Sequence, residues 1–296
     1  MMADFAVIGH IAIDRVITFS GCRRQLGGAP TYISLVARRL GLDAGAVTKV
    51  GGDMPSAFLR QLGELGVDLR GRVVEGAATT RFTLDYRGSE RQLSIESVCE
   101  EIGPEDVRDL PEAALIAPIV GEVPPPTASA IQAGLIALDP QGFVREVRGD
   151  GSIRPMRWFD EDLLRRVDIY KSSEDELRLV TGEADPWRGL RRIQGLGAEI
   201  AIATRGTKGG LLLTQGGRYR MPIHEAAEAV DPTGAGDAFL GGFVCEYLRG
   251  REGPWCAAVG AAAASCVVET AGARLEASAR ELRGRAEELY SGMVKL

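Results

Sequence analysis

Short apolar runs alternate with amphipathic stretches along most of this chain, and that alternation restricts the fold more than any other feature of the sequence. Phe5–Ile8, Ala46–Val50, Leu115–Val120, Leu135–Asp139, Asp168–Lys171 and Ile200–Thr204 read as buried strands. Between them, Pro30–Leu40, Pro55–Leu65, Thr127–Ala133, Ser173–Thr181 and Pro186–Leu196 carry helical periodicity. Gly41 and Gly66 each follow such a stretch, where a helix-stopping glycine belongs. Apolar strands joined through helices predict a parallel sheet covered on both faces.

Two stretches depart from this rhythm. Arg15–Phe19 and Thr80–Ile95 alternate polar and apolar residues, with Arg87-Gly88-Ser89 as the hairpin turn. Period-two alternation gives strands with one wet face. They predict a small sheet projecting from the α/β body, with lid strands over about 14–20 and 80–96. The last third is helical (Gly236–Leu248, Pro254–Glu269, Ala277–Met293), and the run Gly260–Ala264 predicts a helix that another element approaches closely. No repeat or low-complexity linker interrupts residues 1–296, so one cooperative α/β domain is expected.

Composition narrows the function. The 35 Lys and Arg against 41 Asp and Glu leave a net charge of −6 without a basic block, which disfavours nucleic-acid or membrane-surface partners. The best membrane candidate, Cys256–Val268, falls short of the roughly 18 residues that cross a bilayer. The N-terminal segment lacks the basic start of a secretory signal. Five cysteines form no CxxC pair, so reduced thiols and a cytoplasmic location are expected. His10 and His224 are the only histidines, which excludes an HExxH zinc site. Each is read as structural or solvated, and without a GxSxG elbow a serine-hydrolase triad drops out.

Chemistry concentrates in Asp231-Pro-Thr-Gly-Ala-Gly-Asp-Ala-Phe-Leu-Gly-Gly-Phe243. The residue before a proline is pushed out of the helical region, Gly234-Ala235-Gly236 turns sharply, and a long helix starts at once. Unpaired backbone N–H groups and the positive end of a helix dipole then meet at one spot, which is an anion site suited to phosphate. Asp237 lies inside it. As a first-turn carboxylate it would add only ~0.3–1 kcal/mol. Facing a phosphate, it makes sense as a base that takes a proton from the phosphate's reaction partner, which is kinase chemistry. Neither GxxxxGK[ST] nor GxGxxG occurs, so the donor is held in another way.

DPTGAGDAFLGGF resembles the C-terminal signature of the ribokinase-like (PfkB) carbohydrate kinases. Leu26-Gly-Gly-Ala-Pro-Thr-Tyr-Ile-Ser34, running into Ala37-Arg-Arg-Leu-Gly41, resembles the family's N-terminal double-glycine segment. With Val50-Gly-Gly-Asp53 and Gly66-Val-Asp68, the resemblance covers essentially the whole chain. It implies a three-layer α/β/α ribokinase-like fold with a mainly parallel central sheet and a small β-sheet lid. It also implies ATP as donor and Mg2+ as its companion ion. By resemblance, Asp237 is the catalytic base, and Gly234, Ala235 and Gly236 form the anion hole. Asp14, Gly27, Gly28, Tyr32 and Gln141 fall on the acceptor side, and Ser173, Thr204, Arg205, Gly206, Gly209 and Arg145 on the nucleotide side. Glu176 would meet Mg2+ through water. Asp231 and Thr233 match a potassium site in cation-activated members; Asp231 also reads as a simple loop cap. Lid strands of such kinases often pair, which would make a homodimer through the lid.

The departures bear on the acceptor. The family's NxxE is Ser173-Glu-Asp-Glu176 here, and Tyr32 and Ala29 stand where ribokinases carry Asn and Lys, so ribose is disfavoured. Asp139-Pro-Gln-Gly-Phe-Val-Arg145, KSSEDE and GGAPTYIS lean towards the inositol-kinase branch. A small sugar or polyol, myo-inositol among them, is therefore the expected substrate. The alternatives are a nucleoside kinase of the same fold, with Tyr32 or Phe82 stacked on a base, and a non-catalytic sugar- or nucleotide-binding regulator. A dinucleotide oxidoreductase comes third.

Overall fold

Along β1 (Phe5–Ile8) every residue is buried, and consecutive side chains enter opposite cores. Phe5 and Val7 join one apolar cluster, Ala6 and Ile8 the other. A strand can do this only if helices cover both its faces. In the computed structural model, which describes residues 3–19, 21–69, 72–88, 92–224 and 229–296, they do. β4 (Ala44–Val47), β1, β9 (Ala113–Ile116), β10 (Leu135–Leu138), β13 (Ile169–Ser173) and β14 (Ile200–Thr204) are neighbours in that order, all parallel. β15 (Gly210–Thr214), β16 (Gly217–Met221) and β17 (Val294–Lys295) extend the sheet antiparallel at one edge.

One layer holds α1 (Ala29–Leu40), α2 (Ser56–Glu64), α7 (Ala235–Tyr247), α8 (Gly253–Val268) and α9 (Ala279–Ser291), packed on Val7, Leu115, Ile169 and Ile202. The other holds α3 (Pro125–Ala130), α4 (Glu161–Leu164), α5 (Glu174–Thr181) and α6 (Pro186–Leu196), packed on Ile8, Ile116, Leu138 and Ala203. Three-layer α/β/α architecture with a mainly parallel centre is the observed arrangement. No helix among the described residues is long and apolar enough to cross a membrane.

A separate sheet forms the lid, in the order β3-β2-β7-β8: β2 (Ala12–Thr18), β3 (Gly21–Gly27), β7 (Thr80–Asp85) and β8 (Gln92–Ser97). Thr80, Phe82 and Leu84 alternate inward from β7, and Phe82 and Leu84 join Ala12, Val16, Ile119 and Val120 in a small apolar cluster. Two short pairs complete the fold, β5 (Val50–Gly51) with β6 (Val73–Val74) and β11 (Arg145–Val147) with β12 (Ile153–Pro155).

Several boundaries differ from the sequence expectation for identifiable reasons. The strand expected over Leu115–Val120 stops at Ile116, because the Glu122 carboxylate accepts the N–H groups of Ile119 and Val120 and turns the chain. The one expected over Ala46–Val50 occupies Ala44–Val47. The helix expected over Thr127–Ala133 is Pro125–Ala130 and ends where Ile131 becomes extended. The lid contains β3 in addition to the strands expected, and of the hairpin turn at Arg87-Gly88-Ser89, Ser89 lies outside the described residues.

Candidate active site

Asp231-Pro232-Thr233 leads to Gly234, whose φ of 77° lies in the left-handed region, and α7 begins at Ala235. A β-carbon on Gly234 would sit 2.3 Å from the Tyr32 ring, so conformation and space both require glycine there. On Gly236 it would sit 2.8 Å from Lys171 Nζ. The amides of Gly236 and Asp237 have no acceptor among the described residues and point, with the helix dipole, out of the N-terminus of α7. Asp237 itself is buried and accepts a hydrogen bond from Gln141 Nε2 at 2.9 Å. Burial, then the nearby Asp139 carboxylate, push its pKa up to about 7, against the opposing charges of Lys171 and Arg145.

Two residues central to this geometry carried no role in the sequence reading. Asp139 directly follows β10 and Lys171 lies in β13, and their side chains meet at 2.5 Å, both buried. Burial drives Lys171 towards neutrality, but Asp139, Glu176 and Asp237 outweigh it and hold the ammonium charged. A charged lysine against Gly236 gives the anion hole a full positive charge beside its amides. The available signal was an apolar strand ending in a lysine, in a chain with few lysines.

Asp237 faces a cavity lined also by the polar side chains of Asp14, Gln141, Arg145 and Thr233, while Phe82, Leu84, Leu93 and Ile119 form an apolar wall. Arg145, expected on the nucleotide side, lies here; it donates to Ile119 O (2.6 Å) and Gln141 Oε1 (3.1 Å). Gly28, Tyr32 and Gly234 complete the lining. A β-carbon on Gly27 would strike the Asp14 carboxylate at 2.0 Å, and one on Gly28 would meet His10 O at 2.1 Å. The double glycine thus makes room for the protein's own acid. Tyr32 is fully buried; burial, then the charges of Asp14, Asp231 and Asp237, keep its phenol protonated. His10 is buried and neutral, its Nε2–H donating to Glu100 O at 3.0 Å.

At the carboxyl ends of the neighbouring strands, Ser173 and Thr204 lie side by side in the β13–β14 register. Ser173 caps α5: its hydroxyl accepts from Glu176 N while Glu176 Oε2 accepts from Ser173 N. Arg205 pairs with Glu174 at 2.6 Å, and Gly206 and Gly209 take positive φ in the turn between β14 and β15. Asp231 and Thr233 stand in the loop just before the anion hole. No group of three His, Cys, Asp or Glu able to hold a metal occurs among the described residues.

The sequence profile of the pfkB family carbohydrate kinases matches residues 2–280. Cytidine kinase of Thermococcus kodakarensis is 31% identical over 270 residues, 88% of this chain and 94% of that protein. A pyrophosphate-dependent kinase in the ribokinase family, solved with a pyrophosphate analog and myo-inositol, has TM-score 0.79 and 21% identity over 94% of this chain and 99% of its own. Ribokinase of Arabidopsis thaliana, solved with ribose and ATP, has TM-score 0.74 and 22% identity over 97% and 99%. The two structural likenesses establish the ribokinase-like fold.

Proposed function

The chain belongs to the pfkB family of carbohydrate kinases, phosphotransferases acting on sugars or nucleosides, and we propose that its acceptor is a nucleoside phosphorylated on a sugar hydroxyl. One observation carries this reading: beside the polar groups of Asp14, Gln141, Arg145, Thr233 and Asp237, the cavity has an apolar wall of Phe82, Leu84 and Leu93 from the lid and Ile119 from the body. A ribosyl group offers hydroxyls to Asp14, Gln141 and Asp237, and a planar base covers Phe82, Leu84 and Ile119. A polyol with hydroxyls all round would leave several of them unpaired against that wall, at a cost of about 1–3 kcal/mol each. The likeness to a cytidine kinase points the same way.

In the mechanism, Asp14 and Gln141 orient the sugar. Asp237 accepts the proton of the attacking hydroxyl, and its pKa of about 7 suits a base working near neutrality. The Gly236 and Asp237 amides, the dipole of α7 and the Lys171 ammonium stabilise charge on the transferring phosphoryl group. Mg2+ arriving with the nucleotide would neutralise charge on the donor phosphates, and Glu176 would hold it through water. Thr204, Arg205, Gly206 and Gly209 border the nucleotide, for which ATP is the proposed donor.

Phosphorylation with Mg-ATP across cytidine, uridine, adenosine, ribose, fructose and myo-inositol tests the proposal. Turnover on a nucleoside, with kcat/KM at least about tenfold above any free sugar or polyol, is expected; that gap equals the ~1.4 kcal/mol of a modest apolar contact. Efficient turnover on myo-inositol with none on nucleosides would overturn it and favour the second reading. That reading rests on the polar groups of the cavity and on the DPQGFVR and KSSEDE segments.

A further inference from the structure

The potassium site suggested by the resemblance places Asp231 and Thr233 as cation ligands, and the donor set around them does not fit a cation. Asp231 is 2% exposed. Its Oδ2 accepts from Arg23 Nη2 at 2.7 Å, Gln25 Nε2 at 2.9 Å and Gly272 N at 3.3 Å. Its Oδ1 accepts from Thr233 N at 3.0 Å. Arg23 is steered in turn by Gln25, whose Oε1 accepts from its Nε at 2.8 Å. A monovalent cation needs oxygen lone pairs turned towards it. Here N–H groups occupy both carboxylate oxygens, and a guanidinium already balances the charge.

We infer that Arg23 is a built-in replacement for a monovalent cation: a positioning residue on lid strand β3 that fixes the Asp231–Thr233 loop, and through it the anion hole at Gly234–Asp237. A further contact agrees. Tyr86, just beyond lid strand β7, has its hydroxyl 3.2 Å from Thr233 Oγ1, so two strands of the lid hold this loop. A dissociable ion would make the loop depend on salt; a tethered guanidinium makes it depend on where the lid stands.

The test compares wild type and Arg23→Ala in potassium, sodium and tetramethylammonium chloride at equal ionic strength. It reads both melting temperature and kcat, and only the kcat arm depends on the kinase roles proposed for Gly234–Asp237. Wild type should melt at one temperature and turn over within about twofold in all three salts, because no ion is bound and mass action adds nothing. Arg23→Ala should melt lower in tetramethylammonium and recover part of both readouts in potassium, where an ion can enter the vacated place. Activation of wild type by potassium, or a rise in its melting temperature specific to potassium, would overturn the inference. So would an Arg23→Ala variant affected equally in all three salts, which would reduce Arg23 to an ordinary ion pair. Should Arg23→Ala fail to fold, Arg23→Lys must stay indifferent to the choice of salt; potassium activation of that variant also refutes the inference.

Discussion

Asp237 is held where a carboxylate is most useful and least comfortable, buried beside Asp139 with Gln141 as its hydrogen-bond donor. Its pKa of about 7 lies above the ordinary carboxylate value, so it is protonated and idle in acid and becomes a base as pH rises. The profile of kcat/KM against pH should therefore rise through an apparent pKa near 7, and Asp237→Asn should lose about 10²–10⁴-fold in kcat while still binding nucleotide. Linkage fixes the sign for stability. The folded state keeps a proton that the unfolded chain releases, so this site's contribution is full in acid and fades as pH rises through about 7. Asp237→Asn should thus melt higher than wild type at alkaline pH, and an equal or lower melting temperature there would refute the account. Lys171 gives a second residue-scale test. Lys171→Met strands a buried Asp139, at a cost of about 3–5 kcal/mol, whereas adding Asp139→Leu should restore much of the stability without restoring turnover. Asp237 and the glycines before it were legible from their order along the chain. Lys171 and Asp139 were not, because their meaning arises only when β10 and β13 lie together.

Among the elements, α7 and α8 show what the small residues are for. A β-carbon on Gly260 would stand 2.6 Å from Phe239 O, and one on Gly242 would stand 3.1 Å from Gly260 Cα. The helices approach through their backbones, as the Ala-rich run implied. Gly260→Val should cost about 1–3 kcal/mol by overpacking, seen as a lower denaturation midpoint. It should also reduce kcat, because Phe239 lies two residues from Asp237 on the same helix. The parallel strands and their helices were readable because each apolar run has one meaning when both faces are covered. Strand β3 was missed since Gly-Cys-Arg-Arg-Gln-Leu-Gly carries little strand pattern, and its pairing along β2 creates it. The antiparallel pair β15 and β16 was overlooked because its residues alternate in burial only on the outer strand.

At the scale of the whole molecule, the cavity is formed jointly by body and lid, so acceptor binding and lid position are one equilibrium. Phe82→Ala should raise the acceptor KM by about tenfold, the loss of a partly covered aromatic contact, with little change in nucleotide KM; equal changes in both would remove Phe82 from the acceptor wall. Asp14→Ala should show the same asymmetry. The lid was inferred from the change of periodicity, but the joint cavity was not, since Ile119 reaches it from beyond the end of β9 and Arg145 from the start of β11, where the apolar pattern gives no sign of a cavity.

His10 has a mechanical consequence. It links β1 to β2, its ring joins Thr80 at the foot of β7 (2.8 Å) and Glu100 beyond β8 (3.0 Å), and its own N–H is held by Glu122 in the body (2.8 Å). Three passages of chain between body and lid are thus pinned at one buried imidazole. The lid is clamped at that end, while Arg23 and Tyr86 tie it further along to the Asp231–Thr233 loop, so rocking at the clamp must break those two contacts before the cavity opens.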